Sequence, residues 1–290
     1  MPPTHHARTL PVLAIGCVAT GILLVAGYAF FVWTAGGQQL DYAGYFGRWA
    51  ENGFEKSFDG RLLGYVSPWH ILLAGLFVCG VGALRGQAAT GVVAAGAAMF
   101  AIFGAEWFKA VLPYPALVAP PGPVPAYFVA CTYPSGHTTV GSSLAFALLL
   151  ALPAFARRWS SLLAGLASAG FATAVLFLGW HRPSDALGGI LWSGFCVGFA
   201  SLAFLKLRRK NPALHPLGLP YLLASGACIV AVTLLAWCLS GNFASSGFRP
   251  GCGVFLGSVA AIIACAMGVA AWLGFALSPA SAKAGDPPGR

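Results

Sequence analysis

Long apolar runs, broken by short polar intervals, make up almost the whole chain. From Leu10 to Trp33 no side chain carries a charge. Runs of roughly 20 apolar residues are the length needed to cross a bilayer as a helix. The pattern predicts eight spans, at about residues 10–34, 67–84, 88–108, 138–156, 160–180, 184–206, 218–240 and 252–277. The expected fold class is therefore all-α, a polytopic membrane helix bundle. Frequent Gly and Ala within the spans suit close helix–helix approach in lipid. The first run is too long for a signal-peptide core and no convincing small-residue cleavage site follows it, so it is read as a retained anchor.

Composition agrees. Of the 290 residues, 58% are hydrophobic and only 8% are charged, against about 25% charged in ordinary soluble domains. The net charge of +9 is explained by topology rather than by a nucleic-acid partner. With the amino terminus in the cytoplasm, ten of the sixteen Lys and Arg residues fall on the cytoplasmic side, including Arg157, Arg158 and the cluster from Lys206 to Lys210. Both termini are then cytoplasmic, in a cell membrane. The eight Cys residues lie mostly inside spans and read as small packing residues; Cys238 and Cys252 flank the last outer loop and are candidates for a disulfide. No Cys or His grouping suggests a metal.

Two outer loops stand out. In the first, about 35–66, Tyr42, Tyr45, Phe46 and Trp49 recur at helical spacing among Asp41, Arg48 and Glu51. That pattern predicts a helix lying at the membrane interface, as an anchor or as a gate for lipid. The second loop runs from Lys109 to His137 and contains seven prolines, so it cannot be helical. Apolar irregular backbone at membrane depth must be covered by protein or line a cavity. Two readings stand: a lid over a lipid-facing pocket, or inert packing.

Ionisable groups at span ends mark candidate sites. Lys109, His137, His181, Arg182 and Asp185 all fall at the same membrane face under this topology. In LGWHRPSDALGG, Pro183 suits the first residue of a helix, which sets Asp185 within a turn of His181. A carboxylate on one ring nitrogen fixes the tautomer and leaves the other as nucleophile or base. In TYPSGHTTVGSS, Ser135 and Gly136 open a long apolar run. The start of a helix offers free N–H groups and a positive dipole end, which suits phosphate.

PSGH, followed one helical hairpin later by HxxxD and preceded by Lys109 and a Pro-rich loop, resembles the type 2 phosphatidic acid phosphatase family. The resemblance covers about residues 67–206 in layout. It implies a six-helix core at 1–210, with the helices of 211–277 an addition; the short polar stretch 278–290 is read from its composition as a disordered tail. It further implies that His181 attacks phosphorus to form a phosphohistidine, that Asp185 orients it, and that His137 protonates the departing oxygen. Lys109, Ser135 and Gly136 would hold the phosphoryl oxygens, without cofactor or metal. Tyr114, Tyr133 and Trp180 are candidate lid or lipid contacts.

The chain departs from the family at both motif arginines. The first motif, KxxxxxxRP, meets Ala116 and Leu117 or, anchored on proline, Tyr114 and Pro115. The arginine six residues before the third motif's His is Val175 here. Arg182 is the nearest replacement, with Arg48, Arg61 and Arg249 more remote; Glu106, one turn before Lys109, would neutralise it. The implied substrate is a lipid phosphate of undecaprenyl diphosphate, phosphatidylglycerophosphate or phosphatidic acid type, at the outer face. The carrier-lipid diphosphate is favoured because it is released there. A lipid phosphotransferase using the same phosphohistidine, and a non-catalytic lipid-binding or transport protein, are the alternatives; oligomeric state is not encoded.

Overall fold

The structure is a computed structural model that describes residues 9–48, 66–208 and 252–277. Its described elements are all helical: α1 (Thr9–Trp33), α2 (Ala35–Phe46), α3 (Pro68–Leu84), α4 (Ala88–Val111), a 3-10 turn (Ala126–Val129), α5 (Gly136–Ala151), α6 (Ala154–Phe177), α7 (Pro183–Leu207) and α8 (Cys252–Ala276). Five of these, α1, α4, α6, α7 and α8, contain apolar stretches long enough to cross a membrane, while α3 and α5 are shorter apolar helices. The spans expected from hydropathy thus appear as helices, except the one at 218–240, which lies outside the described residues, as do Cys238, Trp49, Glu51, Arg61 and Arg249.

The ends of the helices follow local chemistry. Pro183 opens α7, where its missing N–H costs nothing. Ser135 caps α5, its hydroxyl oxygen accepting from Thr138 N at 3.3 Å. At the end of α6, Gly179 adopts φ +68°. Gly179 N–H donates to Leu176 O and Trp180 N–H to Val175 O, both at 3.0 Å. That is a Schellman stop, in which the left-handed position calls for glycine. The turn sends the chain directly into Trp180 and His181.

α7 is the central element, packed against α1, α4, α5 and α8. α8 also lies along α6, and Phe255, Ile262, Ala266 and Leu273 are fully or almost fully buried there. Large apolar side chains on the outer faces stay exposed, among them Phe77, Phe103 and Leu163, as expected of surfaces that meet lipid rather than water.

α2 differs from the sequence expectation. A helix does form, but its aromatic stripe does not face the bilayer. Tyr42, Tyr45 and Asp41 are all buried, because Tyr45 stacks edge-on against Phe128 with centroids 5.0 Å apart and Asp41 reaches the start of α7. The Pro-rich loop is fastened to α2 by Gln38. Its amide nitrogen donates to Pro115 O at 2.6 Å, and its oxygen accepts from Leu117 N and Val118 N at 3.1 and 3.3 Å. One buried side chain satisfies backbone groups that the prolines leave without helical partners.

Candidate active site

The end of α4, the starts of α5 and α7 and the end of α6 meet at one end of the bundle, around a cavity of about 770 Å³. Its volume is that of a small-molecule pocket. Glu106, Lys109, Thr132, His137, Trp180 and His181 contribute to its wall, with Tyr127, Ala130 and Cys131 from the loop.

The two imidazoles come from different helices. His137 is the second residue of α5, and His181 precedes α7; their ring centroids are 6.3 Å apart, at 59°. The Trp180 ring packs on His137 with centroids 5.1 Å apart, and Tyr127 ties the rim together by donating from its hydroxyl to Trp180 O at 3.0 Å.

His181 is held from behind. Its Nδ1 lies 3.3 Å from Asp185 Oδ2. A carboxylate only accepts, so Nδ1 carries the proton and Nε2 keeps its lone pair. The same Oδ2 accepts from the Thr132 hydroxyl at 2.7 Å and from Arg182 N–H at 3.1 Å. Asp185 is 1% exposed, so these donors take the place of water around a buried charge. The Asp185 carbonyl in turn accepts from Ser135 N–H at 2.8 Å. The starts of α5 and α7 are thereby locked together.

Lys109 closes the other side. Its Nζ lies 2.7 Å from Glu106 Oε1, one turn earlier on α4. A Cβ on residue 136 would collide with Glu106 Oε1 and stand 3.3 Å from Lys109 Nζ. Only glycine lets these side chains lie over the first turn of α5.

Four expected site residues sit elsewhere. Arg182 is 2% exposed and does not line the cavity. Its guanidinium lies over Tyr114 at 4.3 Å and Phe128 at 4.5 Å and donates to Phe128 O at 2.6 Å. An aromatic cage surrounds this cation. Tyr114 is occupied by that stack. Tyr133 turns away, donating to Leu24 O at 2.8 Å, with its ring close against Gly188 of α7. Ser135 is fully buried and serves as the α5 cap rather than as wall. Val175, in the position of a motif arginine, is fully buried in the apolar core.

Asp41 escapes motif reading altogether. Its carboxylate accepts from Ser184 N–H at 2.9 Å and from the Ser184 hydroxyl at 2.5 Å, so α2 grips the first turn of α7. Burial, together with the neighbouring Asp185 carboxylate, pushes the Asp41 carboxyl up to about 7, against the pull of Ser184 and Arg182. Its only sequence signal is an acid on an aromatic helix. Among the described residues no group of three or more His, Cys, Asp or Glu side chains converges as a metal site.

The family described as the PAP2 superfamily matches residues 92–210, from within α4 to just beyond α7. This stretch belongs to the type 2 phosphatidic acid phosphatase superfamily. No curated protein and no solved structure matches the chain. Within the phosphatase-family segment lie Lys109, PSGH and HxxxD, hence both imidazoles and their carboxylate. Asp41 and α8 lie outside it. Membership carries phosphatase chemistry on lipid-type phosphoesters as the general reading, and the apolar helices make this a membrane protein.

Proposed function

We propose that the chain is a membrane lipid phosphatase that cleaves a phosphomonoester or diphosphate from a lipid through a phosphohistidine on His181. The observation that carries this reading is the pairing of two imidazoles across a 6.3 Å centroid separation, one of them tied through Nδ1 to a buried carboxylate.

His181 Nε2 attacks phosphorus in line, and the bond from phosphorus to the lipid oxygen breaks. His137, in its protonated form, gives its proton to that oxygen. Water then attacks the phosphohistidine, His137 takes the water's proton, and the P–N bond breaks to release phosphate and restore His181. Lys109 and the first N–H groups of α5 hold the negative charge of the transferring group. Asp185 holds the His181 tautomer and stabilises the positive charge that the ring carries while Nε2 is bonded to phosphorus.

The charge pattern of the chain supports an outward-facing site, because the basic clusters lie at the opposite span ends. There the substrate would be a lipid phosphate with its tail in the bilayer, and an undecaprenyl-type diphosphate fits that placement. The test is phosphate release by purified protein from undecaprenyl diphosphate, phosphatidylglycerophosphate and phosphatidic acid. Release from at least one, abolished in His181→Ala, supports the reading. No release from any, with His181→Ala indistinguishable, overturns it. A new phosphorylated lipid in place of free phosphate would identify transfer instead.

A further inference from the structure

Among the described residues, Lys109 and Glu106 are the only Lys, Arg, Asp or Glu side chains in the cavity wall, and they are paired with each other. The pairing is not a remote surface contact. Glu106 Oε1 lies within clashing distance of where a Cβ on Gly136, the first residue of α5, would stand, and takes the Lys109 ammonium at 2.7 Å. An anionic oxygen at the mouth of a helix, held by a lysine, has the chemistry of a bound phosphoryl oxygen.

We propose that Glu106 is a specificity-determining residue that competes with the phosphoryl group for Lys109 and the start of α5. The inference rests on the phosphatase reading above. When a phosphate arrives, Lys109 exchanges its carboxylate partner for a phosphoryl oxygen, and Glu106 swings outward. It is free to do so: its side chain is 58% exposed, against 24% for Lys109. The carboxylate remains on the wall after displacement, so it opposes anions in proportion to their charge. A diphosphate meets more of this opposition than a monoester does. With neither motif arginine present, Lys109 is the wall's single permanent cation among the described residues, and Glu106 sets how much of it a substrate can use.

The alternative is that Glu106 merely holds Lys109 in place, in which case removing the carboxylate weakens anion binding. The two roles predict opposite signs. The experiment measures binding of orthovanadate to the detergent-solubilised full chain by calorimetry, for wild type, Glu106→Gln and Glu106→Ala. We expect both variants to bind about tenfold more tightly, the ratio set by about 1.4 kcal/mol. Added salt should narrow the gap, because the carboxylate is exposed. Affinity equal to or weaker than wild type in both variants overturns the inference while leaving the phosphatase reading intact. Absence of binding in wild type and both variants overturns both. Glu106→Ala guards against an amide that fills the same space by a new hydrogen bond.

Discussion

Ser184 places both its backbone N–H and its hydroxyl on the carboxylate of Asp41, at 2.9 and 2.5 Å, although 143 residues separate them in sequence. Through this grip α2, which lies outside the phosphatase-family segment, positions the turn that carries His181 and Asp185. Two consequences are measurable. Ser184→Ala removes one hydrogen bond and leaves a buried carboxyl oxygen without that donor, and should lower stability by about 1–3 kcal/mol in denaturant or thermal unfolding. Asp41 also makes stability depend on pH. Its carboxyl is raised from its ordinary 3.8 to about 7 in the folded chain, so the folded state holds a proton that the unfolded state releases. The resulting stabilisation is complete below about 4 and is lost as pH rises through about 7. The melting temperature of wild type relative to Asp41→Asn should therefore fall between pH 4 and 7 and level off above. A difference that stays constant across that window contradicts the assignment.

Gly136→Ala should leave the fold intact and damage activity. The added methyl meets the flexible end of Glu106 rather than backbone, so the side chain moves aside and the melting temperature changes little. The methyl then covers the first turn of α5, where the phosphoryl group is to sit. Displacing the reacting groups by about 1 Å costs on the order of 100-fold, which phosphate-release kinetics would show beside an unchanged melting curve.

Arg182 and Lys109 should separate cleanly. Arg182→Lys exchanges a planar cation stacked on Tyr114 and Phe128 for a point charge that cannot stack and bond Phe128 O in the same geometry. A destabilisation of about 2–4 kcal/mol is expected, with KM for the lipid phosphate little changed in whatever protein remains folded. Lys109→Gln should do the reverse: a near-normal melting temperature and a rise in KM of tenfold or more. A normally stable Arg182→Lys with a raised KM would return that arginine to the phosphate.

The spans, the start of α5 at PSGH and the opening of α7 at Pro183 are legible from hydropathy and capping chemistry, because these are local properties of ten to twenty residues. The His181–Asp185 contact is legible for the same reason, since four positions of spacing across a helix start suffice to bring them together. The direction of Arg182 is not. Adjacent to His181 in sequence, it points away because α2 and the Pro-rich loop supply Tyr42, Tyr114 and Phe128 from elsewhere. Helical periodicity states that Tyr42 and Tyr45 share a face with Asp41 but not what covers that face. The bilayer and a second helix present the same apolar demand, and only tertiary packing decides between them. Lys109 and Glu106 are intermediate: their spacing predicts the pair, while its position over Gly136 depends on how α4 crosses α5.

The most direct test of the central claim is chemical trapping of the phosphorylated protein. Brief incubation with lipid diphosphate labelled in its terminal phosphate, followed by alkaline denaturation, should leave label on wild-type protein that survives base and is lost in acid, as a phosphoramidate requires. His181→Asn should carry none. Equal base-stable label on His181→Asn, or undiminished phosphate release by it, would contradict the assignment of His181 as nucleophile.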